Sequence, residues 1–231
     1  MINKTLKNNY QIIEKGWLGY SWGKWECFIT DNSQSFTLFV GDRKNKFLKN
    51  YNSVFEDVER TIPFLQINSI YKTFKFRNIN VEPDTYDVFD SCKQLVGRLQ
   101  NGNRIINNFW KILDSDNKEI GRLSKTVNFT GFLYDFTWIL GCISFGILEI
   151  LILSIVSLVF PKLLEVKYTI VVDSQVIAEL KRVVKPKAVV MDIKILNVGQ
   201  KIDEKLEKLI LAASLRAFPG GNTFYPKNSL T

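Results

Sequence analysis

The side chains that most often carry out bond chemistry are scarce in this chain. Histidine is absent, which removes the commonest general acid/base, the Ser-His and Cys-His nucleophile pairs and the main imidazole metal ligand. The three cysteines, Cys27, Cys92 and Cys142, are odd in number and far apart, so neither a CxxC metal knuckle nor a full disulfide framework is available. They fit a reducing compartment. Carboxylates remain, but their spacing singles out no pair, and no catalytic residue, metal or cofactor is expected. The chemistry the sequence does offer is cationic. Lys181-Arg-Val-Val-Lys-Pro-Lys187 places Lys181, Arg182, Lys185 and Lys187 within one short stretch, and each such cation adds about 1 kcal/mol of attraction near an anionic leaflet. The same stretch also fits a solvated hairpin end.

These groups must be carried by a folded scaffold. The chain has 231 residues, 46% hydrophobic and 23% charged, with a formal net charge of +8, the composition of one or two ordinary domains. Its hydrophobicity is unevenly spread. Phe136 to Phe160 is nearly all apolar and holds a single charge, Glu149. At ~1.5 Å per residue these residues would extend about 37 Å as a helix, enough for a hydrocarbon core of ~30 Å with some tilt. The polar positions Thr137, Ser144, Glu149, Ser154 and Ser157 share no single helical stripe, so the helix would be apolar all round, as in a membrane span or an enclosed core helix. Phe136, Trp138, Glu149 and Phe160 mark this candidate membrane-inserting segment. Glu149 would cost ~3 kcal/mol or less at a bilayer centre, against a few tenths regained by each Leu, Ile or Phe. Met1 to Glu14 is polar and lysine-bearing, with no apolar core of a secretory leader.

Aromatic residues cluster at Trp17, Tyr20, Trp22, Trp25 and Phe28, a composition that suits either an interfacial anchor or a strand core. Thr73-Phe-Lys-Phe-Arg77 mixes aromatics with cations, but no RNA-binding motif surrounds it and no nucleic-acid partner is expected.

The most specific signal is an internal repeat. Tyr86-Asp-Val-Phe-Asp-Ser-Cys-Lys-Gln-Leu-Val-Gly-Arg-Leu99 aligns without a gap with Trp110-Lys-Ile-Leu-Asp-Ser-Asp-Asn-Lys-Glu-Ile-Gly-Arg-Leu123, and a shorter version follows at Thr169-Ile-Val-Val-Asp-Ser-Gln-Val-Ile-Ala-Glu-Leu180. Each reads as a β-hairpin with an Asp-Ser turn at Asp90, Asp114 or Asp173. Gly97, Gly121 and Ala178 share one slot, which predicts close approach of another element to the strand. Arg98 and Arg122 recur beside it, either as a basic face or as ordinary polar-out alternation. A hairpin is also expected from Trp25–Thr30 and Ser35–Val40, a strand at Thr73–Arg77 and another at Ala188–Leu196. Ser53-x-x-Glu56 predicts a capping box opening a short helix that Pro63 closes. Apolar residues then recur at helical spacing from Ile202 to Leu215, and Pro219-Gly220-Gly221 ends that helix.

These repeated strands, then Tyr168 to Leu180, Met191-Asp-Ile, and Ile202-Asp203 leading into Leu206 to Phe218, resemble the tubby C-terminal-like superfamily, with the LURP-one-related proteins and the phospholipid scramblases as nearest members. The likeness covers residues 84–125 and 166–218. It implies a mostly β fold, a closed antiparallel barrel around a central C-terminal helix, here Glu204 to Phe218. It also implies membrane and phosphoinositide association or lipid scrambling without bond chemistry. Two family features do not carry over. Asp114-Ser-Asp116-Asn-Lys-Glu119 has Lys118 where a calcium loop needs an oxygen ligand, and no motif fixes the phosphoinositide-binding cations of the tubby proteins.

The expected organisation is therefore a first part of the barrel at 1–135, the hydrophobic helix at 136–160, the rest of the barrel with its central helix at 161–218, and a tail at 219–231. The apolar run creates a conflict. A single crossing would leave the second and third hairpins on opposite sides of a membrane, where they could not share a barrel, and 25 residues are too few to cross twice. Either the run lies in or dips into the membrane surface, or it is enclosed by the barrel or a partner, or the two halves are separate. The expectation is a membrane-associated, lipid-binding or scramblase-like protein on the cytoplasmic side, its lipid-headgroup candidates being Lys181, Arg182, Lys185, Lys187, Arg98 and Arg122 and its partner an anionic phospholipid membrane. The other class is a soluble interaction or scaffold module with the run as core.

Overall fold

The structure, a computed structural model, describes residues 9–15, 26–31, 37–42, 51–70, 85–102, 109–126, 165–185, 188–196 and 202–218. Among the described residues twelve strands run in chain order: β1 Asn9–Lys15, β2 Glu26–Asp31, β3 Thr37–Asp42, β4 Tyr51–Phe55, β5 Pro63–Ile70, β6 Thr85–Asp90, β7 Leu95–Asn101, β8 Phe109–Asp114, β9 Glu119–Lys125, β10 Glu165–Val172, β11 Gln175–Lys185 and β12 Ala188–Ile195, followed by a helix, α1, Glu204–Ala217. Every strand pairs antiparallel with its neighbours in sequence, and β1 closes the barrel on β12 from Asn9↔Lys194 to Lys15↔Ala188.

Closure follows from period-two alternation. In β1, Tyr10, Ile12 and Glu14 are buried while Gln11 and Ile13 are half-covered, and in β10 Val166, Tyr168, Ile170 and Val172 face inward between more exposed neighbours. The inward residues form one apolar core, and the outer wall carries ion pairs such as Arg98–Asp87 at 2.6 Å and Lys181–Glu165 at 2.8 Å. This is the reverse of a lipid-facing barrel, which is apolar outside.

The core is completed by α1. Asp203 caps it, its carboxylate accepting the Leu206 N–H at 2.7 Å, and Glu204 and Glu207 in the first turn with Arg216 in the last suit the helix dipole. All residues from Glu207 to Phe218 are buried, so beyond its exposed first turn no face of the helix meets solvent. Successive faces meet different walls of the barrel. Lys208 Nζ lies 5.9 Å from the centre of the Phe64 ring of β5, Arg216 stacks 4.1 Å over Tyr86 of β6, and Leu209 abuts Gly97 of β7. The Ala217 carbonyl accepts from Tyr168 of β10, at 3.4 Å. The helix therefore occupies the barrel interior.

The three repeated hairpins share a register. Tyr86↔Leu99, Trp110↔Leu123 and Tyr168↔Leu180 are paired, the small residue pairs as Val88↔Gly97, Ile112↔Gly121 and Ile170↔Ala178, and the ladder slips immediately afterwards in all three. The small slot has the expected cause. A Cβ on Gly97 would run into the Leu113 carbonyl and lie 3.1 Å from both terminal methyls of Leu209, and one on Gly121 would lie 2.7 Å from the Val171 carbonyl oxygen. A β-bulge beside a small residue lets the wall bend around the helix.

Three expectations change and one alternative falls. The proposed capping-box helix is strand β4, a turn, and then β5 starting at Pro63, because Val54 goes into the core and the Asp57 carboxylate closes the turn by accepting from the Thr61 and Ile62 N–H groups. Asp173 is not equivalent to Asp90 and Asp114. Those two accept from the N–H groups two and four residues on, all at 2.9 Å, whereas Asp173 and Ser174 both have positive φ, as in a two-residue type I′ turn, and Val172 takes the aligned slot. β1 falls in a segment read only as polar. Finally, the two halves are not separate, since β9 pairs β10 from Tyr168↔Lys125 to Val172↔Gly121. The Thr73–Arg77 strand lies outside the described residues.

Candidate membrane-facing end of the barrel

A meander alternates its connections between the two ends of the barrel. One end receives 32–36, 56–62, 91–94, 115–118, 173–174 and, from β12 into α1, 196–203; the other receives 16–25, 43–50, 71–84, 102–108, 126–164 and 186–187. Since α1 enters beside Phe64, at the start of β5, and finishes beside Tyr86 and Tyr168, its C-terminus lies at the second end.

Composition divides the ends sharply. The connections between elements carry 11 Lys/Arg against 4 Asp/Glu at the long-connection end and 4 against 6 at the turn end. Four of the five tryptophans, Trp17, Trp22, Trp25 and Trp138, and the whole apolar run fall in sequence within connections that join strands at the long-connection end. The described rim adds to this. Lys185 and Lys15 flank Ala188 in one row across β11, β12 and β1, and both are exposed. Lys125 ends β9, two strands from β11, Lys167 is exposed near the start of β10, and Lys15 lies 5.2 Å over the Phe28 ring.

The individual candidates are not equally placed. Lys185 is exposed on the rim. Lys181 is exposed but holds Glu165, and with Lys167 at 3.5 Å it outweighs the partial burial of that carboxyl, keeping it below the usual carboxylate range. Arg98 is half-buried, bonded to Asp87 and Asn117, and Arg122 is bonded to Glu119 and stacked 5.3 Å over Phe109. The Arg122 bond depresses the Glu119 carboxyl, helped by Lys111, and raises the guanidinium in return. Arg98 and Arg122 thus serve the outer wall midway along the strands. Arg182 is a correction in position: it is 5% exposed, pairs in register with Met191 and Val166, and points into the barrel. Alternation from the inward Leu180 is the signal that would have placed it. Lys187, Phe136, Trp138, Glu149 and Phe160 lie outside the described residues, as do Trp17, Tyr20, Trp22 and Trp25.

Sequence reasoning missed a polar set inside the barrel. Glu14, Arg182, Glu207 and Ser214 are all buried there, and burial together with the Glu207 charge pushes the Tyr10 phenol well above its ordinary range despite the Ser214 hydroxyl beside it. Ser214 itself donates to the Ile210 carbonyl at 2.7 Å. Among the described residues no group of Cys, Asp and Glu is gathered so as to hold a metal ion, and no helix is long and apolar enough to cross a membrane. Comparison with protein-family models, curated proteins and solved structures gives no significant match to this chain.

Proposed function

We propose that the protein is a membrane-associated lipid-binding protein of tubby-like, LURP-one-related or phospholipid scramblase-like type, working on the cytoplasmic, reducing side and acting on lipid without bond chemistry. One observation carries this reading: the apolar run, the tryptophan-rich segment and the cationic connections all join strands at the same end of the barrel. Aromatics, cations and an apolar segment together suit a headgroup interface, where aromatic rings anchor and lysines meet anionic lipid. The barrel interior already contains α1, which favours a place for residues 136–160 outside the core. The resemblance noted above points the same way.

Fractionation of the expressed protein tests it. The protein is expected in the membrane fraction and to need detergent for release; recovery in the supernatant without detergent would sink the reading in favour of a soluble scaffold module. Scrambling is tested separately by reconstitution. Lipid flip no faster than in protein-free vesicles would leave binding as the whole function.

A further inference from the structure

We infer that the barrel opens at a single stave: β1 detaches from β12 and β2 as a unit while the rest of the wall stays packed around α1. This goes beyond the membrane reading and does not depend on it.

The interior is weakest along β1. Among the described residues, the buried charges of the wall are Glu14 on β1 and Arg182 on β11, and β2 to β10 carry none. Both fall in one sector, because Ile12, two residues before Glu14, shares a row with Met191 of β12 and Arg182. The helix turns its polar side to the same sector. Glu207 and Ser214, which helical spacing puts on one face, lie beside the Tyr10 phenol of β1. Leu209, on the opposite face, meets Gly97 of β7 so closely that the wall has no room for a Cβ. Tyr10 is 1% exposed, and its hydroxyl lies beside Ser214 without a well-formed hydrogen bond, which burial makes costly. Buried charges, even with partners, recover little of their desolvation cost. Of the inward side chains of β1, Tyr10 and Glu14 therefore gain by meeting water, whereas β6 to β9 bury Val88, Leu99, Ile112 and Leu123.

The topology lets β1 leave alone. Among the described strands, β1 and β12 form the one pairing between elements that are not consecutive in the chain, and without β1 the strands β2 to β12 remain a continuous meander. Outside that seam, Gln11 Nε2 donates to Asp192 Oδ1 at 2.6 Å and acts as its latch. Opening frees the edges of β12 and β2 and uncovers Cys27, which pairs with Glu14 and is 1% exposed in the closed barrel. It leaves a strand-length slot in the side of the barrel, through which solvent reaches Arg182 and the polar face of α1. Such sub-global opening belongs to the least stabilised unit of a domain.

Cys27 reports the opening. In full-length C92S/C142S protein it is the remaining thiol, and its labelling by a small thiol reagent is followed under native conditions, in detergent if release requires it. The control is V88C in a C27A/C92S/C142S background, since Val88 is buried on β6, with rates corrected for global stability by urea titration. Cys27 is expected to react at least about tenfold faster than the V88C thiol. D192A, which removes the latch, should speed Cys27 a further tenfold or about that and leave V88C unchanged, while E14L/R182M, which makes the seam apolar, should slow Cys27 about tenfold. Hydrogen exchange of the unmodified chain reads the same event without substitution: the amides of β1 exchange before those of β6 to β9. Equal labelling of the two thiols, or D192A speeding both alike, would overturn the single stave. Fast labelling of Cys27 while the β1 amides stay as protected as those of β6 to β9 would overturn the detachment of β1.

Discussion

The two ends of the barrel close the same strands in opposite ways. At the turn end the chain reverses in two to seven residues, and the reversals are held by specific chemistry: Asp57, Asp90 and Asp114 accept several backbone N–H groups each, and Lys93, Asn117, Asp173 and Ser174 supply positive φ. At the other end, connections reach 39 residues and are rich in cations and aromatics. Both ends serve one register, so the difference is not demanded by the barrel. Loop-closure entropy rises by only ~0.6 kcal/mol per doubling of length, which leaves one end free to carry residues selected for something other than folding.

This contrast breaks if the core depends on the long connections or tolerates damage at the helix contact. The largest effect is expected at Gly97, where valine would drive its side chain against the Leu113 carbonyl and the Leu209 methyls; urea titration of G97V should show a loss of about 3 kcal/mol, the upper range for overpacking. The next is alkaline unfolding. Because the folded Tyr10 phenol is held protonated while the unfolded one ionises near pH ~10, stability is intact below that pH and falls above it by up to about 1.4 kcal/mol per pH unit. Melting Y10F across this range should give a shallower slope; equal slopes would remove Tyr10 from the account.

Replacing residues 127–163 by a six-residue Gly/Ser linker should abolish vesicle flotation yet leave the barrel folded, more stable by about 1.5 kcal/mol through the shorter closure. A linker variant that fails to fold would show the run to be part of the core. The smallest effect sharpens the turn end itself: D90A should lose about 1 kcal/mol with its two backbone bonds, while D173G should stay within ~0.5 kcal/mol, because that position requires positive φ above all. Paired thermal melts decide between them.

Much of the barrel is legible in the repeat. Tyr86, Trp110 and Tyr168, the small residues Gly97, Gly121 and Ala178, and the closing leucines occur in a fixed order because the three hairpins share one register, with the small residue beside a bulge where Gly97 meets α1 and Gly121 meets β10. The C-terminal helix is legible from its spacing and its Asp203 cap. β1 is not, since Gln11 and the buried Glu14 break its apolar pattern, and the Ser53/Glu56 pair imitates a helix start although Val54 is needed in the wall. At the candidate site, the cation cluster at Lys181–Lys187 is visible as a cluster, but which of its members face outward is a matter of strand parity. That parity sends Arg182 inward and leaves Lys181 and Lys185 outside.

The sequence by itself determined the fold class, the repeating hairpin, the terminal helix and the existence of one long apolar segment, because these are carried by local periodicity, turn residues and composition. A closed barrel around that helix was implied only by the resemblance; tertiary structure decided which twelve strands make the wall, which of them the helix touches, and that connections far apart in the chain join strands at one end. Those facts depend on which strands pair, and pairing is set by long-range burial that no local window contains. The strands that flank the apolar run, β9 and β10, are adjacent in one undivided barrel, which removes the alternative of two separate halves that the sequence left open.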